Sequence, residues 1–422
     1  MELLIKNVHV CDPQVGLDEV TDIEISGGVI KSIGKTDTEY ERVIDGEGRL
    51  CVLPGLFDMH VHFRDPGLVY KEDIITGANA AKAGGFTGVA CMPNTKPPID
   101  NAETVGYIID KARQTGINVF PVGCVTKGMA GQELCDYVEL IAAGVKMISD
   151  DGKPVENAEL MRQAIEMTNK NGLILASHCE DLKIINGGIM NKGKISEQLG
   201  VKGMDRASED YITAREICLA MSCDARVHIC HVSTRGSVNI IRAAKRDGVK
   251  VTCETAPHYF TFTDEKLLSR DADFRMSPPL RTEEDRQAVL EAVLDGTIDC
   301  IITDHAPHSA EDKADFETAP NGVVGLETSL AATLTQLYHT GKADLNKIAN
   351  LMSVNPRKIM NIDPVKIEVG QTADLCIFDP DLEWEVIPSE LNSKSKNTVF
   401  KGAKLKGKNL YTICGGKIVY QL

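Results

Sequence analysis

His60 and His62 lie two residues apart in the run Asp58-Met59-His60-Val61-His62-Phe63-Arg64-Asp65-Pro66. In a strand, residues i and i+2 face the same side, so the two imidazoles project together. A neutral imidazole is the commonest nitrogen ligand for zinc and similar metals. The chemistry this suggests is metal-assisted hydrolysis. The weight of a single His-x-His rests on whether further ligands recur at equivalent places along the chain.

They do recur. Asn94 stands in Met92-Pro93-Asn94-Thr95, and Asp150 and Asp151 in Ser149-Asp150-Asp151-Gly152. His178 is in Ser177-His178-Cys179-Glu180, His231 in Cys230-His231-Val232-Ser233 and His258 in Ala256-Pro257-His258. Asp304, His305 and His308 close the series in Thr303-Asp304-His305-Ala306-Pro307-His308. Each follows a short apolar run. Of ten histidines only His9, His228 and His339 fall elsewhere, and these read as structural or solvent-exposed. Four histidines and two carboxylates suit a two-metal hydrolytic site, in which metal ions lower the pKa of a bridging water and polarise a carbonyl. Asp304 can bind metal and also pass the nucleophile's proton to a leaving nitrogen. Asp151 is the candidate for a carboxylate bridging the metals, and a carboxylated Lys146 is the rival.

The elements that must position these groups are eight strand-like runs, near 56–61, 87–92, 118–124, 144–149, 173–177, 227–230, 250–254 and 299–303. They alternate with helical patterns. In one of these, Thr282 reads as an N-cap before the acidic helix start Glu283-Glu284-Asp285, Val289, Leu290, Val293 and Leu294 repeat at helical spacing, and Gly296 ends the helix. Eight such units predict a TIM (β/α)8 barrel, whose catalytic groups sit at the C-terminal ends of the strands. Both ends of the chain read as β: runs at 3–10, 22–25, 29–33 and 42–45, then 374–378, 398–400 and 412–420, the last with a hairpin turn at Gly415-Gly416. The expected organisation is an α/β barrel over 53–364, with residues 1–52 plus 365–422 joined in a small β-sandwich domain.

Bulk properties narrow the partners. The net charge of −15 over 422 residues disfavours nucleic acid and anionic membranes and suits a cytoplasmic protein acting on a small molecule. The thirteen cysteines are scattered, several inside apolar runs, and form no Cys-x-x-Cys pair, so reduced thiols are expected and a zinc knuckle is not. The N-terminus lacks a signal-peptide plan, and no apolar stretch is long enough to span a membrane.

The stretches at 58–66 and 303–313 resemble the two signatures of the dihydroorotase family, in the amidohydrolase superfamily. The motifs at Asn94, Asp151, His178 and His231, and Gly325-Leu326-Glu327-Thr328, match the same family in order, and the likeness is to its longer, bacterial class I form. The resemblance implies reversible cyclisation of N-carbamoyl-L-aspartate to L-dihydroorotate, the third step of pyrimidine synthesis. It implies Zn2+, two per subunit, held by His60, His62, Asp151, His178, His231 and Asp304, with Asp304 as acid/base. In the class I pattern Asp151 replaces the carboxylated lysine of other amidohydrolases. Arg64, Asn94 and His308 would hold the substrate carboxylate and neighbouring oxygens, beside His62, with main-chain groups near Asn321 and Gly322 against the ring. Two positions depart from the family. Ser277 stands where Asn is usual before Pro278-Pro279-Leu280-Arg281, with a shorter reach. Ile302 stands where a small residue is usual, a packing change.

The polar segment 306–322 reads as a lid closing through His308. A hydantoinase or allantoinase is the neighbouring alternative; a cation at Arg64 and an aspartate at Asp151 argue against it. A non-catalytic scaffold for a transcarbamoylase is the second, and the full ligand set argues against that. A homo-oligomer such as a dimer is expected, and association with aspartate transcarbamoylase is compatible with catalysis.

Overall fold

The computed structural model describes residues 2–422. The chain opens with β1 (Leu3–Asp12), β2 (Leu17–Ser26), β3 (Val29–Ile33), β4 (Val43–Asp45) and β5 (Cys51–Pro54). Barrel strands follow: β6 (Leu56–Val61), β7 (Phe86–Cys91), β8 (Asn118–Pro121), β9 (Met147–Ile148) and β10 (Ile174–Ser177). After a short ribbon of β11 (Met190–Asn191) and β12 (Gly203–Met204) come β13 (Val227–Ile229), β14 (Val251–Thr255) and β15 (Cys300–Ile301). The chain ends with β16 (Leu375–Glu385), β17 (Lys404–Cys414) and β18 (Lys417–Gln421).

β6, β7 and β8 pair in parallel, as do β9, β10, β13, β14 and β15. Two parallel bridges close the ring, Gly123 to Ile148 and Val61 to His305. Every residue of β6, β7 and β10 is buried. Strands covered on both faces are mostly apolar, which is why the barrel is written in the sequence as apolar runs; polar exceptions such as Asp58 in β6 are hydrogen-bonded, here accepting the backbone N–H groups of His60 and Thr303. The helices between them follow local chemistry. Thr282 accepts the backbone N–H of Asp285 to start the helix Glu283–Asp295, and Gly296 ends it with φ of +85°.

The terminal segments meet in one eight-stranded sheet, ordered β18-β17-β16-β5-β1-β2-β3 with β4 on β1. It has its own core, including Leu3, Ile5, Ile23, Ile25, Leu375 and Ile413. β5 pairs with β1 and β16 in this sheet, and β6 starts the barrel one residue after Gly55. A Cβ on Gly55 would lie 2.3 Å from the Thr87 side chain, so the passage between the two layers requires glycine.

One expected strand is absent. Residues 398–400 form a turn, and Thr398 makes only a single bridge to Val324. The Thr398 hydroxyl accepts the backbone N–H of Phe400 (3.2 Å), a local bond that competes with ladder formation. All thirteen cysteines are free thiols. Among the described residues no helix is long and apolar enough to cross a membrane.

Candidate active site

The strand ends bring four imidazoles around one carboxylate. Asp151 Oδ1 lies 3.4 Å from His60 Nε2, 3.2 Å from His178 Nδ1 and 3.6 Å from His231 Nε2. Its other oxygen lies 3.4 Å from His62 Nε2. Asp304 Oδ1 stands 3.1 Å from His62 Nε2 and 3.7 Å from His60 Nε2. All six residues are buried. Two triads with metal-ligand spacing, His60-His62-Asp151 and Asp151-His178-His231, share Asp151.

The outward nitrogens of three of these histidines are pinned to oxygen. His60 Nδ1 is 2.6 Å from Glu254 Oε1, His62 Nδ1 is 2.8 Å from Asn94 Oδ1, and His178 Nε2 is 2.7 Å from Glu180 Oε2. These oxygens are acceptors, so each outward nitrogen carries the hydrogen and the inward one presents a lone pair. His60 Nε2, which faces Asp151, is buried with no hydrogen-bond partner. Convergent lone pairs around a carboxylate are the donor set of a cation site, and the residues fit one.

Without a cation, the surrounding carboxylates favour protons on these rings instead. Burial works to raise the Asp151 pKa, but His60, His178 and His231 outweigh it and hold the carboxyl well below its usual range. Burial opposes charge on His178, yet Asp151 and Glu180 push it up to about 10. His60 is likewise raised by Asp151 and Glu254 against burial. A metal ion competes with these protons, so affinity falls as pH drops.

Beside the carboxylate cluster lies a cavity of about 360 Å³, lined by His62, Arg64, Asn94, Asp151, His178 and His231, with Ser277, Asp304, His308, Asn321 and Gly322 on its other walls. Arg64 is buried and makes no ion pair among the described residues; its Nε donates to Pro307 O (3.3 Å). A buried guanidinium without a carboxylate calls for an anionic ligand. Asn94 uses its oxygen on His62 and keeps its amide N–H₂ toward the cavity, 3.5 Å from Asp151 O. The Ser277 hydroxyl donates to Glu180 Oε2 (2.7 Å), so it braces the partner of His178. His308 donates from Nε2 to Asn321 O (2.9 Å) and accepts at Nδ1 from Lys71 (3.0 Å). Burial, Arg64 and Lys71 press its pKa down to about 2, which keeps it neutral. Gly322 has φ of +137°, and a Cβ there would lie 2.6 Å from Ala306 O, so the 306–322 segment folds back over the cavity only with glycine here. Arg64, His231 and Asp304 also have positive φ (+59°, +34° and +47°), strain concentrated at the cluster.

Other sequence candidates lie apart. Lys146 is exposed and lines a different cavity where β6 to β9 begin, so the rival bridging role fails on position. His305 Nδ1 accepts from Gly325 N (3.2 Å) and its Nε2 lies 3.4 Å from Glu72, a structural role. His258 is buried, and burial lowers its pKa to about 4.

Sequence reasoning missed Glu254. It links His60 to His228, whose Nε2 is 3.0 Å from Glu254 Oε2 and whose Nδ1 is 2.8 Å from Thr252 Oγ1. His228 is thus structural, and it shares Glu254 with His60. The signal was an acid inside a buried strand run, which must have a partner. Glu209 was missed too: it accepts from Ser233 N (2.9 Å) and pairs with Arg281 (3.2 Å), fixing the loop after His231. Glu254→Ala is expected to weaken metal binding by about 10- to 100-fold in a chelator-competition titration. Unchanged affinity would show that His60 needs no such anchor.

A family model described as dihydro-orotase-like matches residues 48–237. The chain is 51% identical to a protein named dihydroorotase from Geobacter sp. (strain M21), covering 100% of both. The chain belongs to the dihydroorotase family. A dihydroorotase of Acetivibrio thermocellus is 47% identical over 99% of this chain and 98% of its own length. Among solved structures, L-hydantoinase from Arthrobacter aurescens superposes with a TM-score of 0.87 at 25% identity, covering 100% of this chain and 96% of that one. Dihydropyrimidinase from Brevibacillus agri gives 0.85 at 22% identity, covering 100% and 95%, a likeness of fold alone. The dihydroorotase-family chain therefore shares its fold with these two solved structures.

Proposed function

We propose that this chain is a dihydroorotase that interconverts L-dihydroorotate and N-carbamoyl-L-aspartate in pyrimidine synthesis, with the cluster around Asp151 as its active site. The observation that carries the reading is the convergence of four imidazoles on Asp151, three of them with their outward nitrogens pinned, beside a buried unpaired Arg64. His60, His62, Asp151, His178, His231 and Asp304 would hold zinc, two ions per chain, which supplies a nucleophile at neutral pH and polarises the scissile amide carbonyl. Asp304 is buried; burial raises its pKa, but His62 and His60 outweigh that and keep it below the usual carboxylate range. It is therefore ionised at pH 7, able to take the proton of the attacking water and deliver it to the leaving ring nitrogen. By microscopic reversibility it removes a proton from the ureido nitrogen in the cyclisation direction.

Substrate placement falls to the opposite wall. Arg64 binds the ring carboxylate through its free N–H groups, the Asn94 amide meets a neighbouring oxygen, and the backbone at Asn321 and Gly322 faces the ring. His308, fixed between Lys71 and Asn321 O, closes that side and keeps the 306–322 segment in place. Ser277 acts through Glu180 and carries a weaker claim to direct contact. Thirteen free thiols fit work in a reducing cytoplasm.

The hydantoinase reading has one observation in its favour, the likeness of fold at a TM-score of 0.87. Against it stand 51% identity to dihydroorotase-named relatives and a buried cation that a ring without a carboxylate leaves unpaired. Arg64→Gln tests the reading. It is expected to lower kcat/KM for L-dihydroorotate by about 100-fold, the worth of a buried charge-assisted contact, with little change toward hydantoin. Unchanged kcat/KM for L-dihydroorotate would sink the assignment of the carboxylate site.

A further inference from the structure

Another cavity, about 960 Å³, is at the other end of the barrel, where β6 to β9 begin. The strand starts Phe57, Asn118 and Lys146 form one wall, residues 361–366 a second, and the β17–β18 turn a third. Its charge runs against that of the chain. Lys146, Arg357, Lys366 and Lys417 line it, and none of the four makes an ion pair among the described residues. Only Asp363 and Asp374 oppose them, in a protein whose net charge is −15. A fifth cation, Arg113, is exposed and pairs with Asp110 at 3.1 Å.

Arg357 is the decisive member. It is 4% exposed, and all its partners are neutral. Its guanidinium donates to Ser353 O (3.0 Å), Ser353 Oγ (2.9 Å) and Thr87 Oγ1 (3.1 Å), and sits 5.0 Å from the centre of the Phe57 ring. Asp374, the buried acid of the cavity, accepts Gly415 N (2.6 Å) rather than the arginine. Asp374 is near enough to favour the charge on Arg357 but makes no ion pair with it, so the buried cation is only partly compensated, and an anion entering beside it offsets the remaining cost. The walls also carry apolar surface at Phe120, Ile362, Val365 and Val419. A molecule-sized cleft with convergent cations and an apolar wall is the common form of a small-ligand site.

We propose that this cavity binds a phosphate-bearing small molecule, its phosphates among Lys146, Lys366 and Lys417 over Arg357 and its body against the apolar wall. The site is separate from the imidazole cluster, since it opens where the strands begin and the cluster lies where they end. Lys366 is half-buried and Lys417 exposed, so reversing their charges leaves the fold intact. The test is calorimetric titration of the full chain with inorganic tripolyphosphate and with ATP as probes, on wild type and the K366E/K417E variant. Saturable binding of either probe, weakened by about tenfold or more in the variant and by added salt, supports the proposal. Dihydroorotate turnover without the probes should be the same in both proteins. No binding of either probe at about 1 mM, or equal binding by the variant, overturns it.

Discussion

Asp304→Asn is expected to lower kcat for L-dihydroorotate hydrolysis by about 10²- to 10⁴-fold, the range for losing a positioned general base. Asparagine keeps the volume and one oxygen near His62, which the carboxylate approaches to 3.1 Å, so the fold and most of the metal affinity should survive. The two quantities separate the roles. A fall in kcat with metal content retained places the loss in proton transfer, and parallel loss of metal makes Asp304 a ligand first. Steady-state turnover within tenfold of wild type would show that another group carries the proton. His258 is a poor substitute, because burial lowers its pKa to about 4 and it does not line the cavity.

Asp151→Ala should have the larger effect on metal. This single carboxylate lies within 3.6 Å of His60, His178 and His231 and within 3.4 Å of His62. Removing it leaves the imidazoles facing one another without the shared anion. Breaking a buried ionic contact of this kind costs roughly 3–5 kcal/mol, which is at least two decades in affinity. The variant is therefore expected to lose its metal on dialysis, measured by elemental analysis, and its turnover with it. Wild-type metal content in the variant would mean that the bridge comes from elsewhere. Lys146 lies too far to provide it, on the wall of the opposite cavity.

The barrel was legible because its strands are buried on both faces and so appear as apolar runs, each with polar chemistry just past its end. β6 and β10 show it most plainly, followed by His62 and His178. The residues that the structure gathers around Asp151 were legible for the same reason. What braces them was not. Glu254 and His228 sit within strands, where nothing in a linear reading says that a buried acid on β14 meets an imidazole on β6. Glu180 lay in a quoted motif, yet its contact with His178 depends on the turn after β10. Residues 398–400 read as a strand from their apolar character, while a threonine hydroxyl turning back on the backbone decided otherwise. The cation-lined cavity was invisible because Lys146, Arg357, Lys366 and Lys417 come from distant parts of the chain.

A cluster built this way should hydrolyse a cyclic amide bearing a ring carboxylate. Initial rates for L-dihydroorotate, hydantoin and allantoin, measured side by side on the purified chain with and without zinc, test it most directly. The expected kcat/KM for L-dihydroorotate exceeds the others by about 100-fold or more, and chelation abolishes it. A preference for hydantoin or allantoin, or turnover of L-dihydroorotate that survives complete metal removal, would contradict it.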